Sequence, residues 1–305
     1  MRVKASSGIG VIAWAALAVA AEVDSVDAEE QAADGSQASE GEMVAPKTLR
    51  AAFPPRVADA PSGSEFAEHT LNMPIDQREV EVLAQVRRGN IPEFLRNLKP
   101  VRIDGRATSI AIMVSADYLA IGTDEDFLRL PLGLATAATI ALEFGFTLPT
   151  TKIVDAIYEQ SALRLEPQPM TPGAEMMSMD YIRRHQEMIE DQRDGRMTGE
   201  LTAGHKKDVV LTSRLREKGD RVAIYGWHQL NGEPIQPLST VHVDWYADYS
   251  HGVRLVHQTV WVDGQPQSIF DVLEDTELAP LLSSEGVMVD ARELLAQSAI
   301  RKEEP

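Results

Sequence analysis

The first apolar residues with a regular period lie at Val80, Leu83 and Val86, the spacing of one helix face. Asp76 and Glu79 read as a capping box ahead of them, and Gly89 as the helix end. Pro92 to Leu98 is a second short helix. Val101 to Asp104 and Ala107 to Val114 then flank Asp104-Gly105, a hairpin signal. Tyr118 to Gly122 and Phe127 to Leu130 are short strand candidates. Helices are expected near Leu134 to Phe144 and Thr151 to Leu163, separated by Gly145 and Pro149. A loop carries Pro167, Pro169 and Pro172, after which Ser178 caps a charged helix ending near Gly195.

The pattern then turns extended. Asp208 to Thr212 and Arg221 to Trp227 read as strands, with a turn at Asn231-Gly232. Val241 to Tyr249 alternates and is expected to be a strand. Val253 to Val262 follows and ends at Asp263-Gly264. Helices near Ser268 to Glu274 and Asp290 to Ile300 close the chain. The expected fold class is α+β, a mostly antiparallel sheet in the C-terminal half with helices before and after it.

Met1 to Ala21 has the form of a secretory signal: Arg2 and Lys4, an apolar stretch from Gly8 to Ala18, and Ala18-Val19-Ala20 at the cleavage position. An uncleaved anchor is the other reading. Residues 22–64 carry eight acids before Lys47 and then Pro46, Pro54, Pro55 and Pro61, and are expected to be a disordered linker. Residues 65–168 form an α+β part. Residues 169–305 form a β-rich part carrying the site, or one continuous domain with the preceding part.

Among 305 residues there is no cysteine, which excludes disulfides, thiolate nucleophiles and Cys-ligated zinc. A net charge of −18 argues against a nucleic-acid partner. Between Glu200 and Val260, however, seven Lys/Arg balance seven Asp/Glu, so a neutral or anionic substrate can approach. No stretch beyond the signal is long enough to span a membrane. Export places the protein in the periplasm or outside the cell.

The candidate chemistry is concentrated. Five of seven histidines, three of four tryptophans and three of six tyrosines fall between His205 and Trp261. If Val241 to Tyr249 is a strand, His242, Asp244, Tyr246 and Asp248 line one face, either as a wet sheet surface or as a cleft floor. His242 and Asp244 have the spacing of a metal pair that would need another histidine, so a divalent cation is a possible but not obligatory cofactor. His205 and Asp208 bracket two lysines after Gly204, either as a turn exposing an imidazole or as a basic loop. Trp227 and His228 end a strand beside Gly226, where the indole can stack on a sugar or pack in a core. Ser250 sits beside His251, and adjacent strand residues point apart, so any base for Ser250 would be His242, His228 or His205.

Tyr249-Ser250-His251-Gly252-Val253-Arg254 resembles the active-site signature of the L,D-transpeptidases of bacterial cell walls, Ser-His-Gly-Cys followed by an apolar residue and Arg. Ser250, His251, Gly252 and Arg254 match the family's Ser, His, Gly and Arg over about 30 residues. Ile224-Tyr225-Gly226 is loosely similar to the family's Ile-His-Gly strand. Val253 directly follows Gly252 where the family has its cysteine, so the resemblance implies a cell-wall context without thioester chemistry.

The expected function is that of an exported hydrolase or lyase acting on a cell-envelope or polysaccharide substrate. His205, Asp208, His228, His242, Asp248, Ser250 and His251 are the candidate catalytic residues. Trp227, Trp245, Tyr246, Tyr249 and Arg254 are the candidate substrate contacts, Arg254 as a bidentate grip on a carboxylate. The alternatives are a non-catalytic carbohydrate- or peptide-binding envelope protein, using the same aromatic residues, and a metal-dependent enzyme.

Overall fold

The computed structural model describes residues 46–299. The expected signal and the first half of the expected linker lie outside them. The second half of that linker is ordered and packed, which corrects the expectation. Leu49–Arg50 (β1) pairs with the strand Asn97–Asp104 (β2), and Ala51, Phe53 and Ala60 are buried. The segment's prolines lack the amide donors a continuous ladder needs, and arginines bond several of its carbonyls. Arg96 donates to the Phe53 carbonyl at 3.0 Å, and Arg56 donates to those of Ala60 and Pro61 at 2.6 and 3.1 Å.

Gly63–Thr70 (α1) starts from a full capping box between Ser62 and Glu65. Ile75–Arg87 (α2) has Pro74 at its N-cap, and the box expected at Asp76 and Glu79 does not form there. Glu79 instead accepts from the Gly133 amide at 2.7 Å, tying α2 to Leu134–Glu143 (α4). Glu93–Arg96 (α3) leads into β2. β2 turns back as Ser109–Val114 (β3), with Asp104 opposite Ser109; the expected hairpin forms, but through a four-residue loop, residues 105–108, closed by the Gly105 amide on the Thr108 carbonyl at 2.8 Å. β2 alternates in burial, and β3 is buried throughout because it lies at the centre of the large sheet.

Ala120–Gly122 (β4) and Phe127–Arg129 (β5) form a small antiparallel pair. Phe146–Thr147 (β6), then Thr151–Gln160 (α5) capped by Thr150, Leu163–Arg164 (β7), and Met179–Arg193 (α6) capped by Ser178 follow. Thr202–Ala203 (β8) pairs with β7. A second sheet is built from Lys207–Val209 (β9), Ile224–His228 (β10), Pro234–Ser239 (β11) and His251–Gly252 (β12). Val256–His257 (β13) and Thr259–Val262 (β14) then join the large sheet beside β3. Asp263 and Gly264, at φ 48° and 82°, make the turn into Gln265–Ser268 (β15). Ile269–Glu274 (α7), Ala279–Leu282 (α8) and Ala291–Ala299 (α9) close the fold.

The fold is therefore α+β with mainly antiparallel sheets, although the central hairpin of the large sheet comes from the first half of the chain. One apolar core runs from Ala51 to Leu295 across the expected boundary at residue 168. Among the described residues no helix is long and apolar enough to cross a membrane.

Val241 to Tyr249 is not a strand. Only an isolated bridge, Val243 to Arg221, occurs in it. Its backbone bonds to residues 220–222 only around that bridge, with the His242 carbonyl accepting from Val222 at 3.1 Å and the Asp244 amide donating to Asp220 at 3.0 Å; beyond it the Asp244 carbonyl accepts from Leu134 at 2.8 Å and the Tyr246 amide turns back to the Val243 carbonyl at 3.0 Å. Side-chain capture of the backbone at Asp248 competes with a ladder and ends any strand there.

Candidate functional site

Gly204 brings the chain into β9. Its φ is +100°, and a Cβ there would lie 2.3 Å from the Leu165 carbonyl oxygen, so only glycine fits. β9 runs antiparallel to β10 and parallel to β12. Lys207 is the register partner of Gly226 on one side and His251 on the other; Asp208 is the partner of Tyr225 and Gly252. Register partners leave a sheet on the same face. Lys207 and His251 therefore share one face, and Asp208 and Tyr225 the other, beside a bare Gly252.

The Asp208 face is packed against Tyr118. The Tyr118 hydroxyl donates to Asp208 Oδ2 at 2.8 Å. The Arg254 guanidinium lies over the ring at 4.3 Å, and His205 meets its edge at 5.0 Å. Burial pushes the Asp208 carboxyl up to about 6, against the pull of Arg254. Arg254 itself is buried and donates to the Ser115 and Thr202 carbonyls at 2.9 and 2.6 Å. It clamps three segments together, and the expected grip on a substrate carboxylate is not available to a guanidinium so enclosed.

Next to Tyr118, Asp117 anchors a second buried set. Its oxygens accept from Arg129 Nη2 at 2.7 Å, from the Tyr118 amide at 2.7 Å and from His205 Nε2 at 3.1 Å. Burial opposes its ionisation, but Arg129 and His205 outweigh that and hold the carboxyl well below the usual range. Arg129 also reaches Glu190 at 2.6 Å. Burial takes the His205 imidazole down to about 4 despite Asp117. At neutral pH a neutral ring therefore donates Nε2–H to the carboxylate. Lys206, also buried, donates to the Tyr249 carbonyl at 2.5 Å and lies 3.0 Å from His185 Nδ1, and burial lowers its ammonium to about 7. Asp117, Arg129, His185, Lys206 and Tyr118 were not among the sequence candidates. One signal was available: Arg129 stands between Leu128 and Leu130 in a run too apolar for a surface strand.

His251 lies on the Lys207 face. Its ring is fully buried, and neither Nδ1 nor Nε2 has a hydrogen-bond partner. Asp248 Oδ2 stands 3.9 Å from Nε2, an ion-pair distance that is too long for a hydrogen bond. Burial pushes this imidazole below its ordinary value, although Asp248 pulls the other way. Tyr246 meets the His251 ring edge-on at 5.7 Å, and His242, stacked on Tyr246 at 4.2 Å, is 6.4 Å from it. Both outer rings are half-buried, whereas His251 is enclosed. Asp248 is held by three donors: the Ser250 amide, the Ser250 hydroxyl and the Tyr246 hydroxyl at 3.1 Å. Burial, then Asp248, raises the Tyr246 phenol to about 12. The Ser250 proton goes to Asp248, and no histidine serves as its base.

The structure thus brings together His242, Tyr246, Asp248, Ser250 and His251. It puts His205, Asp208 and Arg254 in the adjoining buried set. His228 lies apart, stacked on Tyr158 at 4.5 Å with Nε2 3.1 Å from Asp155 Oδ1. That pair lines an open cleft of about 490 Å³ with Tyr225, Arg164 and Asn231. Tyr249 is buried, with its hydroxyl accepting from the Met170 amide at 2.6 Å, and Trp245 is half exposed. Trp227 is buried against Lys207. Asp244 lies in a turn, and among the described residues no three histidine or acidic side chains gather to hold a metal ion. The metal pair expected at His242 and Asp244 therefore lacks its third ligand, because the strand that would have aligned it does not form. No protein-family model, curated protein or solved structure matches this chain.

Proposed function

We propose that the protein is an exported hydrolase or lyase acting on a cell-envelope or polysaccharide substrate, with His251 as its general base. One observation carries this reading: the His251 ring is enclosed, yet both of its nitrogens are without partners. Buried polar atoms are almost always paired, so an unpaired imidazole asks for a role that pairing would block. Burial keeps the ring neutral at physiological pH, with a nitrogen lone pair free, and Asp248 favours its protonated form. Asp248, 3.9 Å away, stabilises the imidazolium once formed, and the Tyr246 hydroxyl holds that carboxylate in place. Where the transpeptidase resemblance holds, it supplies a cell-wall peptide as substrate but no nucleophile, since Val253 follows Gly252.

The test is turnover on purified sacculi and on a panel of envelope polysaccharides, read as released reducing ends, peptides or unsaturated products. His251→Gln should lower the rate about 10²-fold or more, the loss expected for a general base. A rate unchanged by that substitution would refute the assignment. The alternative of a non-catalytic carbohydrate or peptide binder draws on the open cleft at Asp155 and His228. It predicts retention on sacculi without any product, with Tyr225→Ala weakening it.

A further inference from the structure

β10 carries a conformational irregularity at its end. Trp227 has φ +57°, a left-handed conformation that a bulky residue rarely adopts and that costs about 1–3 kcal/mol. In a regular strand Trp227 would follow Tyr225 to the Asp155 side. The left-handed residue breaks that alternation. His228 joins Tyr225 at Asp155, and the indole meets Lys207 on the opposite face, with Nζ 4.9 Å from the ring centroid. Such a cation–ring contact fixes a long, flexible side chain without neutralising it.

Lys207 is otherwise alone. Among the described residues its ammonium makes no hydrogen bond and no ion pair; Asp248 acts on it only at longer range. Asp248 is in any case taken up by Ser250 and Tyr246. The Trp227 indole N–H, buried, also has no acceptor. A buried donor without an acceptor, the indole N–H, and a solvent-reached ammonium without a counter-ion thus share one ring's edge and face, on the sheet face that carries His251, in a protein with 47 acids against 29 bases. An unpaired cation held in place amid such an excess of acids asks for an anion from outside the chain.

We infer that Lys207, held on Trp227, is a substrate-binding residue that receives an oxyanion group of the substrate, a carboxylate or a phosphate, beside the His251 base. This rests on the placement of the site at His251 and names the class of substrate that the site takes. The anion places the adjoining part of the substrate over His251. In a lyase, the ammonium would also stabilise negative charge that spreads into a carboxylate when the neighbouring proton is removed.

The experiment needs no turnover. The full mature protein, labelled with ¹⁵N, is titrated with sodium acetate and separately with inorganic phosphate, each against chloride at constant ionic strength. The Trp227 indole N–H and the His251 ring resonances are followed. A saturable shift of both with at least one anion is expected, acetate or phosphate telling which group is preferred. Lys207→Met should weaken that binding at least tenfold, and Lys207→Arg should retain it. No saturable shift with either anion, or a shift of the same affinity in Lys207→Met, overturns the inference. Should Lys207→Met fail to fold, the titration of the unsubstituted protein decides alone. The hydrolase or lyase reading falls separately, on an unchanged rate in His251→Gln.

Discussion

The guanidinium of Arg129 and the carboxylate of Asp117 meet at 2.7 Å with both side chains almost wholly buried. Neither charge would survive there alone. Arg129→Met should leave Asp117 without its main counter-charge and destabilise the fold by about 3–5 kcal/mol. The double change Arg129→Met with Asp117→Asn should recover part of that loss. Urea denaturation of the two variants and of Asp117→Asn alone completes the cycle; losses that simply add would mean that the two charges contribute nothing as a pair.

Acid should weaken the fold before its carboxylates protonate. His205 is lowered to about 4 in the folded state, so the unfolded chain binds more protons from about its ordinary value downward. Stability is lost as pH falls through that window, by about 2 kcal/mol near pH 5. His251, also lowered, adds to the loss, while Asp208, raised to about 6, opposes it between its unfolded and folded values. The urea midpoint should therefore drop between about pH 7.5 and pH 5. His205→Gln should flatten that slope, and an unchanged slope would count against a neutral buried His205.

Gly252 has no room for a methyl group. A Cβ there would lie 2.5 Å from the Tyr118 ring and 2.9 Å from the Lys206 Cβ. Gly252→Ala should cost about 1–3 kcal/mol by overpacking. The companion change Tyr118→Leu should relieve the clash while losing the bond to Asp208. Thermal melts of the single and double variants read the coupling between them.

Asp248 separates stability from chemistry. Asp248→Ala strands the Ser250 amide and hydroxyl and the Tyr246 hydroxyl, and should destabilise by about 1–3 kcal/mol. Asp248→Asn keeps an acceptor for Ser250 and should cost about 1 kcal/mol or less, yet still lower activity by about 10²-fold. A melt and a rate measured on the same preparation distinguish the two roles; full activity in Asp248→Asn would put the counter-charge elsewhere.

The segment before α1 is part of the core. Phe53 packs on Phe144 at 4.7 Å and Phe146 at 5.6 Å. Phe53→Ala should cost about 3–5 kcal/mol, as for other buried rings. Limited proteolysis of the folded protein should not cut between Leu49 and Phe53; rapid cleavage there would show that β1 does not hold.

Local rules on this chain are strong where one or two residues decide an outcome. Asp104-Gly105 and Asp263-Gly264 mark hairpin turns that form, Ser178 and Ser268 cap the helices expected after them, and the clustering of imidazole and aromatic residues after His205 points to the region where the unpaired His251 lies. These depend on backbone dihedral preference and on a side chain bonding to its own neighbourhood, both of which act within a few residues. The alternation from Val241 to Tyr249 satisfies the same local rule and still fails, because Leu134 takes the Asp244 carbonyl and the Tyr246 amide turns back to Val243. The proline-bearing stretch after Lys47 looked too polar to pack, and the buried, distant Arg96 and the local Arg56 supply donors to its carbonyls. What joins Asp117 to Arg129 and His205, or sets Lys207 beside His251, is strand register and burial across separations of up to 88 residues. No residue-by-residue pattern encodes those contacts, since the cost of burying a charge, and hence its need for a partner, arises only when the chain has closed around it.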